Sequence, residues 1–142
     1  MVARRTLMFT LASVASARAG TGLLSFAGLY GAVTAEGIQL SAASQALVGH
    51  RVEITGFMAP PLKAESDFFV LTRYPMSICP FCSNAADWPV DVIFVRLGRT
   101  AETIEPSYAI RVTGVLEHGA KMDLDTGFVS LVRLVDADWR RV

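Results

Sequence analysis

Arg51-Val52-Glu53-Ile54-Thr55-Gly56-Phe57-Met58 alternates charged or polar residues with apolar ones, which is the period of a half-buried β-strand. Its pattern returns in Ile110-Arg111-Val112-Thr113-Gly114-Val115-Leu116, where Ile110 answers Val52, Val112 answers Ile54 and Gly114 answers Gly56. The interval is too long for a stacked repeat in a chain of this size. Two strands with the same mechanical task explain it better. A glycine inside a strand marks a bulge or a tight bend, and a sheet that curls into a barrel needs such bends.

Further strands follow from the same reading. Ala59-Pro60-Pro61 ends the first, because proline has no amide for a ladder. Asp67–Arg73 reads as a second strand, Val90–Leu97 as a third, Tyr108–Leu116 as a fourth and Gly127–Val135 as a fifth. Arg99–Pro106 is polar enough for a loop or one helical turn. Ser41–Val48 suits a short helix before the first strand, with Ala42, Ala46 and Leu47 on one side. The expected fold is all-β: a small five-stranded Greek-key barrel of the OB type, in which the first and fourth strands are neighbours.

The chain begins differently. Residues 1–35 carry Arg4, Arg5 and Arg18 and no acid, and are otherwise mostly apolar or small. A basic start, an apolar run and small residues at the end describe an export signal. Val33-Thr34-Ala35 offers a cleavage point before Glu36, and Ala17-Arg18-Ala19 offers an earlier one. Arg4-Arg5-Thr6-Leu7-Met8 resembles a twin-arginine signal, and Arg18 within the apolar run weakens a Sec-type reading. The bland alternative is an uncleaved anchor, but the run is rich in Gly, Ala, Ser and Thr and holds a charge, a poor basis for a ~20-residue span. The expected organisation is therefore a leader over 1–35 and one domain over 36–142. The location is periplasmic, with the membrane touched only through an uncleaved leader.

All 13 acidic residues lie beyond that leader, whereas three of the 13 basic ones lie within it, so the expected domain is net acidic. It has no basic run, and the clustered positive face of a nucleic-acid binder is missing. One small domain with one core is what the length permits.

The chain's two cysteines, Cys79 and Cys82, stand in Ile78-Cys79-Pro80-Phe81-Cys82-Ser83. A C-x-x-C spacing turns both sulfurs toward one point, either each other or one metal ion. A thioredoxin-like site needs a long helix starting at the first cysteine, and Pro89 with the strand behind it leaves no room. Three readings stay open. In the first, the thiolates bind zinc or copper. Met76-x-x-Cys79-x-x-Cys82 brings three sulfurs close in sequence, which suits copper(I), and Met58 is a further candidate; core filling is the commoner use of methionine. His50 and His118, the chain's two histidines, are expected at opposite ends of neighbouring antiparallel strands, which counts against a Cys₂His₂ zinc site. The second reading is a structural disulfide, allowed by export but weakly stabilising across so short a loop. The third is a thiol–disulfide redox centre on a non-thioredoxin scaffold.

Other residues invite blander roles. Asp87 suits a cap and Trp88 suits packing over the loop. Asp123 and Asp125 resemble part of a calcium loop, but the later glutamate is missing, so a solvated turn between the last two strands is expected. No G-x-S-x-G, H-E-x-x-H or phosphate-loop pattern occurs, and Ser83 stands where haem attachment requires histidine.

The run Leu47-Val48-Gly49-His50-Arg51-Val52-Glu53-Ile54-Thr55-Gly56-Phe57-Met58-Ala59-Pro60 resembles the opening of an uncharacterised family of bacterial exported proteins. Phe68-Phe69-Val70-Leu71, the cysteine loop and Val112-Thr113-Gly114 match its later elements, over most of residues 45–138. The resemblance implies an OB-like extracytoplasmic binding protein, an accessory that in some members accompanies a membrane transporter for metal uptake. This chain departs from the pattern in two ways. It has no lipobox cysteine, and Ser83-Asn84-Ala85-Ala86-Asp87 replaces a proline run. The combined expectation is a non-enzymatic exported accessory protein with Cys79, Cys82 and Met76 as its site. The alternatives are a redox protein and an interaction module pinned by a Cys79–Cys82 disulfide.

Overall fold

The computed structural model describes residues 20–61, 65–76 and 91–142. The elements are β1 (Gly22–Leu23), α1 (Phe26–Leu29), β2 (Tyr30–Thr34), β3 (Gly37–Leu40), α2 (Ala42–Leu47), β4 (Arg51–Met58), β5 (Phe68–Thr72), β6 (Val92–Leu97), β7 (Ala109–Met122) and β8 (Val129–Arg141). The architecture is mostly β, as expected. The strand count differs: among the described residues one sheet has six strands, and β2 with β3 forms a separate antiparallel pair.

The alternation in β4 works as a strand should. Val52, Ile54 and Met58 are buried while Arg51 and Thr55 are exposed. The end of β4 pairs antiparallel with β5 through Phe57↔Thr72 and Met58↔Leu71. β5 pairs antiparallel with β6, β6 runs parallel to β8, and β8 is antiparallel to β7. β7 then returns to β4, antiparallel from Arg51↔Val115 to Phe57↔Ala109. Because β5 covers only the end of β4, the earlier half is free for β1, which pairs parallel through Gly22↔Val52 and Leu23↔Glu53.

Both echoing glycines sit where backbones approach. A Cβ on Gly56 would lie 2.6 Å from the Thr72 carbonyl oxygen and 3.0 Å from the Phe26 ring. A Cβ on Gly114 would lie 3.0 Å from Ala137 Cβ and 3.1 Å from the Val135 carbonyl oxygen. Beside Gly114 the ladder slips: Thr113 faces Asp138 but Val115 faces Val135, so β8 carries one extra residue. Asp136 takes up the bulge at φ 47°, a left-handed conformation that Asp tolerates. Arg51 reaches across to it, with Nη2 2.8 Å from the Asp136 carboxylate.

β7 and β8 run past the expected fourth and fifth strands to form a long hairpin, kinked at a second register shift that contains Gly119, at φ 117°. The hairpin folds back over β6. The Phe128 ring stacks on Phe94 at 5.7 Å, and Phe94 stacks on Phe68 at 5.0 Å. Arg96 ties the layer together through ion pairs to Asp67 and Asp123. All five residues of β5 are buried, not one face of it. The opposite face of these strands, with Phe69, Leu71, Ile93 and Val95, joins Ile54, Ile110, Leu116 and Leu134 in the main core.

α2 forms where expected, but its buried face differs. Ala42 and Ala46 are exposed, Leu47 is half-buried and Ser44 is buried. Ser41 caps the helix, its hydroxyl accepting from the Ser44 amide at 3.1 Å. The Ser41 and Ser44 hydroxyls lie 2.7 and 3.2 Å from the Gly28 carbonyl oxygen. Polar anchoring to α1 therefore holds this six-residue helix in place of an apolar stripe.

Candidate functional site

Cys79 and Cys82 lie outside the described residues, as do Asp87 and Trp88. The structure describes the root from which their segment springs. Thr72↔Val92 is the last pair of the β5–β6 ladder. Beyond it the Arg73 amide donates to the Asp91 carbonyl at 2.9 Å, and the Arg73 guanidinium stands 3.5 Å from the Asp91 carboxylate. Thr72 Oγ1 lies 2.7 Å from the Tyr74 carbonyl oxygen and 3.2 Å from that of Phe57. The segment therefore leaves and re-enters the sheet at one clamped point, and strand pairing offsets the entropy of closing the loop. Met76 follows this clamp and is half-buried.

Beside the clamp runs a groove of about 440 Å³. Its lining combines apolar Leu23, Leu24, Phe26 and Ala27 with charged Glu53, Arg73 and Arg111. Glu53 lies 3.4 Å from Arg111 and 3.9 Å from Arg140. Arg73 belongs to both groove and clamp, so a ligand at the groove would touch the root of the cysteine segment. The only hint in the sequence was the outward-facing charge of β4 and β7, which reads equally as a solvated face.

The histidines correct an expectation. In an antiparallel pair the start of one strand meets the end of the other, so His50 and His118 share an end instead of dividing between two. The Leu116 amide donates to the His50 carbonyl at 3.0 Å, and His118 stands two residues further along β7. That end is far from the cysteine root. Phe57, beside Thr72, is seven residues along β4 from His50, about 23 Å at the rise of a strand. Met58 is 1% exposed and belongs to the main core. Among the described residues no group of three or more His, Cys, Asp or Glu side chains converges as a metal site.

The Asp123 turn is a turn, as expected, but a built one. Asp123 Oδ1 accepts from the Asp125 amide at 3.1 Å, the Thr126 amide at 3.0 Å and the Thr126 hydroxyl at 2.9 Å. Burial would raise its carboxyl pKa, but these donors and the Arg96 charge outweigh that and hold it below the usual carboxylate range. Its lone pairs are thus committed to the loop and to Arg96, which leaves it a poor calcium ligand.

No family model and no curated protein matches the chain. Among solved structures, it is similar to a DUF3299 family protein from Pseudomonas aeruginosa PAO1, with a TM-score of 0.54 over 87% of this chain and 97% of that one. At 13% identity that likeness shows a shared fold.

Proposed function

We propose that this chain is an exported, non-enzymatic accessory domain that binds a soft metal ion, copper(I) or zinc, through Cys79 and Cys82 with Met76 as a neighbouring sulfur. Its role is transport or homeostasis of that metal, alongside a membrane transporter. The scaffold is an OB-like five-stranded barrel: the circuit β4–β5–β6–β8–β7–β4, with β6 and β8 parallel, supports this reading. β1 is then an addition to the gap beside β4.

The observation that carries the proposal is the clamp at Thr72–Tyr74 and Asp91. It suspends the C-x-x-C segment from one fixed root, with Met76 half-buried just inside it. Copper(I) accepts two or three soft ligands, whereas zinc wants four. The histidines that would complete a zinc set stand at the far end of β4, so copper(I) is favoured.

The test is competition for copper(I) and for zinc against a chromophoric chelator, using reduced protein. Wild type should hold copper(I) at least tenfold tighter than a Cys79→Ser/Cys82→Ser variant, with Met76→Leu between them. Equal affinities would end the proposal. If the oxidised protein instead passed its Cys79–Cys82 disulfide to a dithiol substrate, oxidising the substrate and returning both cysteines to thiols, a redox role would replace it.

A further inference from the structure

We infer that the leader is removed after Ala19, so that the mature domain begins at Gly20 and keeps residues 20–35 as structure. The inference rests on the export reading above and fixes the point of processing. Cleavage before Glu36 would remove β1, α1 and β2.

Those elements are integral to the core. Leu29 is 0% exposed and Phe26 7%, and both pack in the main cluster. The Leu24 amide donates to the Glu53 carbonyl at 2.9 Å, continuing the β1–β4 pairing. The buried Ser44 hydroxyl has the Gly28 carbonyl as its partner, and the Ser41 amide donates to the Leu29 carbonyl at 3.0 Å. Removing residues 20–35 would strip these partners from groups that stay behind.

Ala35-Glu36 is also a poor substrate once folded. It forms the turn between β2 and β3, where Thr34 faces Gly37. Thr34 Oγ1 closes that turn, 2.8 Å from the Glu36 carboxylate and 3.2 Å from the Gly37 carbonyl oxygen. A leader peptidase binds its substrate extended. Gly20 and Thr21, in contrast, are exposed and lie ahead of the first paired residue. Ala17-Arg18-Ala19 supplies the small-x-small pattern that such peptidases read. Water is the co-reactant: the Ala19–Gly20 amide breaks, hydroxyl joins the Ala19 carbonyl carbon and the proton goes to the Gly20 nitrogen.

The full chain with a C-terminal tag, expressed in a Gram-negative host, gives a direct test by intact mass and N-terminal sequencing of the periplasmic fraction. The expected N-terminus is Gly20. Ala19→Asp should stop processing and accumulate precursor, while Ala35→Asp should be cut as wild type is. A mature chain starting at Glu36 overturns the inference and leaves export standing. Full-length protein held in the membrane fraction overturns cleavage itself. Full-length protein confined to the cytoplasm overturns the export reading beneath it.

Discussion

Ile54 and Val112 stand opposite one another in the β4–β7 ladder, and they are also matching positions of the two echoing segments. A local two-fold axis therefore passes through this pair. It relates Gly56, opposite Ile110, to Gly114, opposite Val52. The repeated pattern is the trace of that local symmetry: at the same distance from the axis, each strand carries a glycine that lets another backbone approach.

Gly56→Ala should destabilise the protein by about 1–3 kcal/mol through overpacking. Gly114→Ala should cost less. The new methyl at Gly56 meets a backbone carbonyl at 2.6 Å, whereas the nearest atoms at Gly114 lie 3.0–3.1 Å away. Gly98→Ala, with nothing within 4 Å, should stay within about 0.5 kcal/mol of wild type. Urea midpoints at constant slope rank the three; a cost at Gly98 equal to that at Gly56 would remove the steric explanation.

Leu29→Ala should cost about 2–5 kcal/mol, the range for an emptied core leucine. Leu124→Ala, at a side chain 92% exposed, should cost almost nothing. Thermal melting of the chain lacking residues 1–19 compares them. An unchanged midpoint for Leu29→Ala would mean that α1 is no part of the folded domain.

Arg133 is buried and fully engaged. Its Nε lies 2.7 Å from the Glu117 carboxylate and its Nη1 2.7 Å from the Gly119 carbonyl oxygen at the β7 kink. Arg133→Met should cost about 2 kcal/mol by leaving those acceptors without a charged donor. Glu117→Gln should cost less, since that side chain is 38% exposed and screened by water. Equal losses in denaturant titrations would contradict this ordering.

Acid should loosen the hairpin that covers β6. Asp123 has a depressed pKa in the folded state, so its contribution is complete above the unfolded value near 3.9 and is lost as pH falls through the folded one. Asp123→Asn should therefore lower stability at about pH 6 and flatten its decline toward about pH 3. Chemical denaturation at the two pH values decides this; parallel declines in variant and wild type would assign the acid sensitivity to other carboxylates.

The strands most visible in the sequence were those whose two faces differ. β4 shows its full length as alternation, and Arg51–Met58 is its observed extent. The third strand is observed over Val92–Leu97, with Asp91 in a turn ahead of it, while Val90, its expected first residue, lies outside the described residues. β7 and β8 continue past their expected ends through Glu117–Met122 and Asp136–Arg141, mostly exposed and polar stretches in which Ala137 and Trp139 alone reach the core, too little to read as a strand face. β1, α1 and β2 were hidden for a different reason. Small and apolar residues suit both an export signal and the inside of a domain, and composition cannot divide them. Leu29 is legible as core only through what packs around it. The groove was invisible because Arg73, Arg111 and Glu53 come from three separate strands or strand ends, and only the fold brings them together. The cysteine pair stands out by its spacing but lies outside the described residues; Thr72 and Asp91 belong to the strand ends on either side of it.

The seam between β4 and β7 also governs how the molecule comes into being. One rim of β4 keeps its amides and carbonyls bare until Ala109–Val115 has been synthesised, since no earlier segment supplies that partner. Until then the nascent polypeptide presents an open edge, the kind of surface through which chains stick to one another. Synthesis must therefore pass β7 before the domain can close, and a holdase that shields the rim of β4 in the meantime would guard the newborn chain against aggregation.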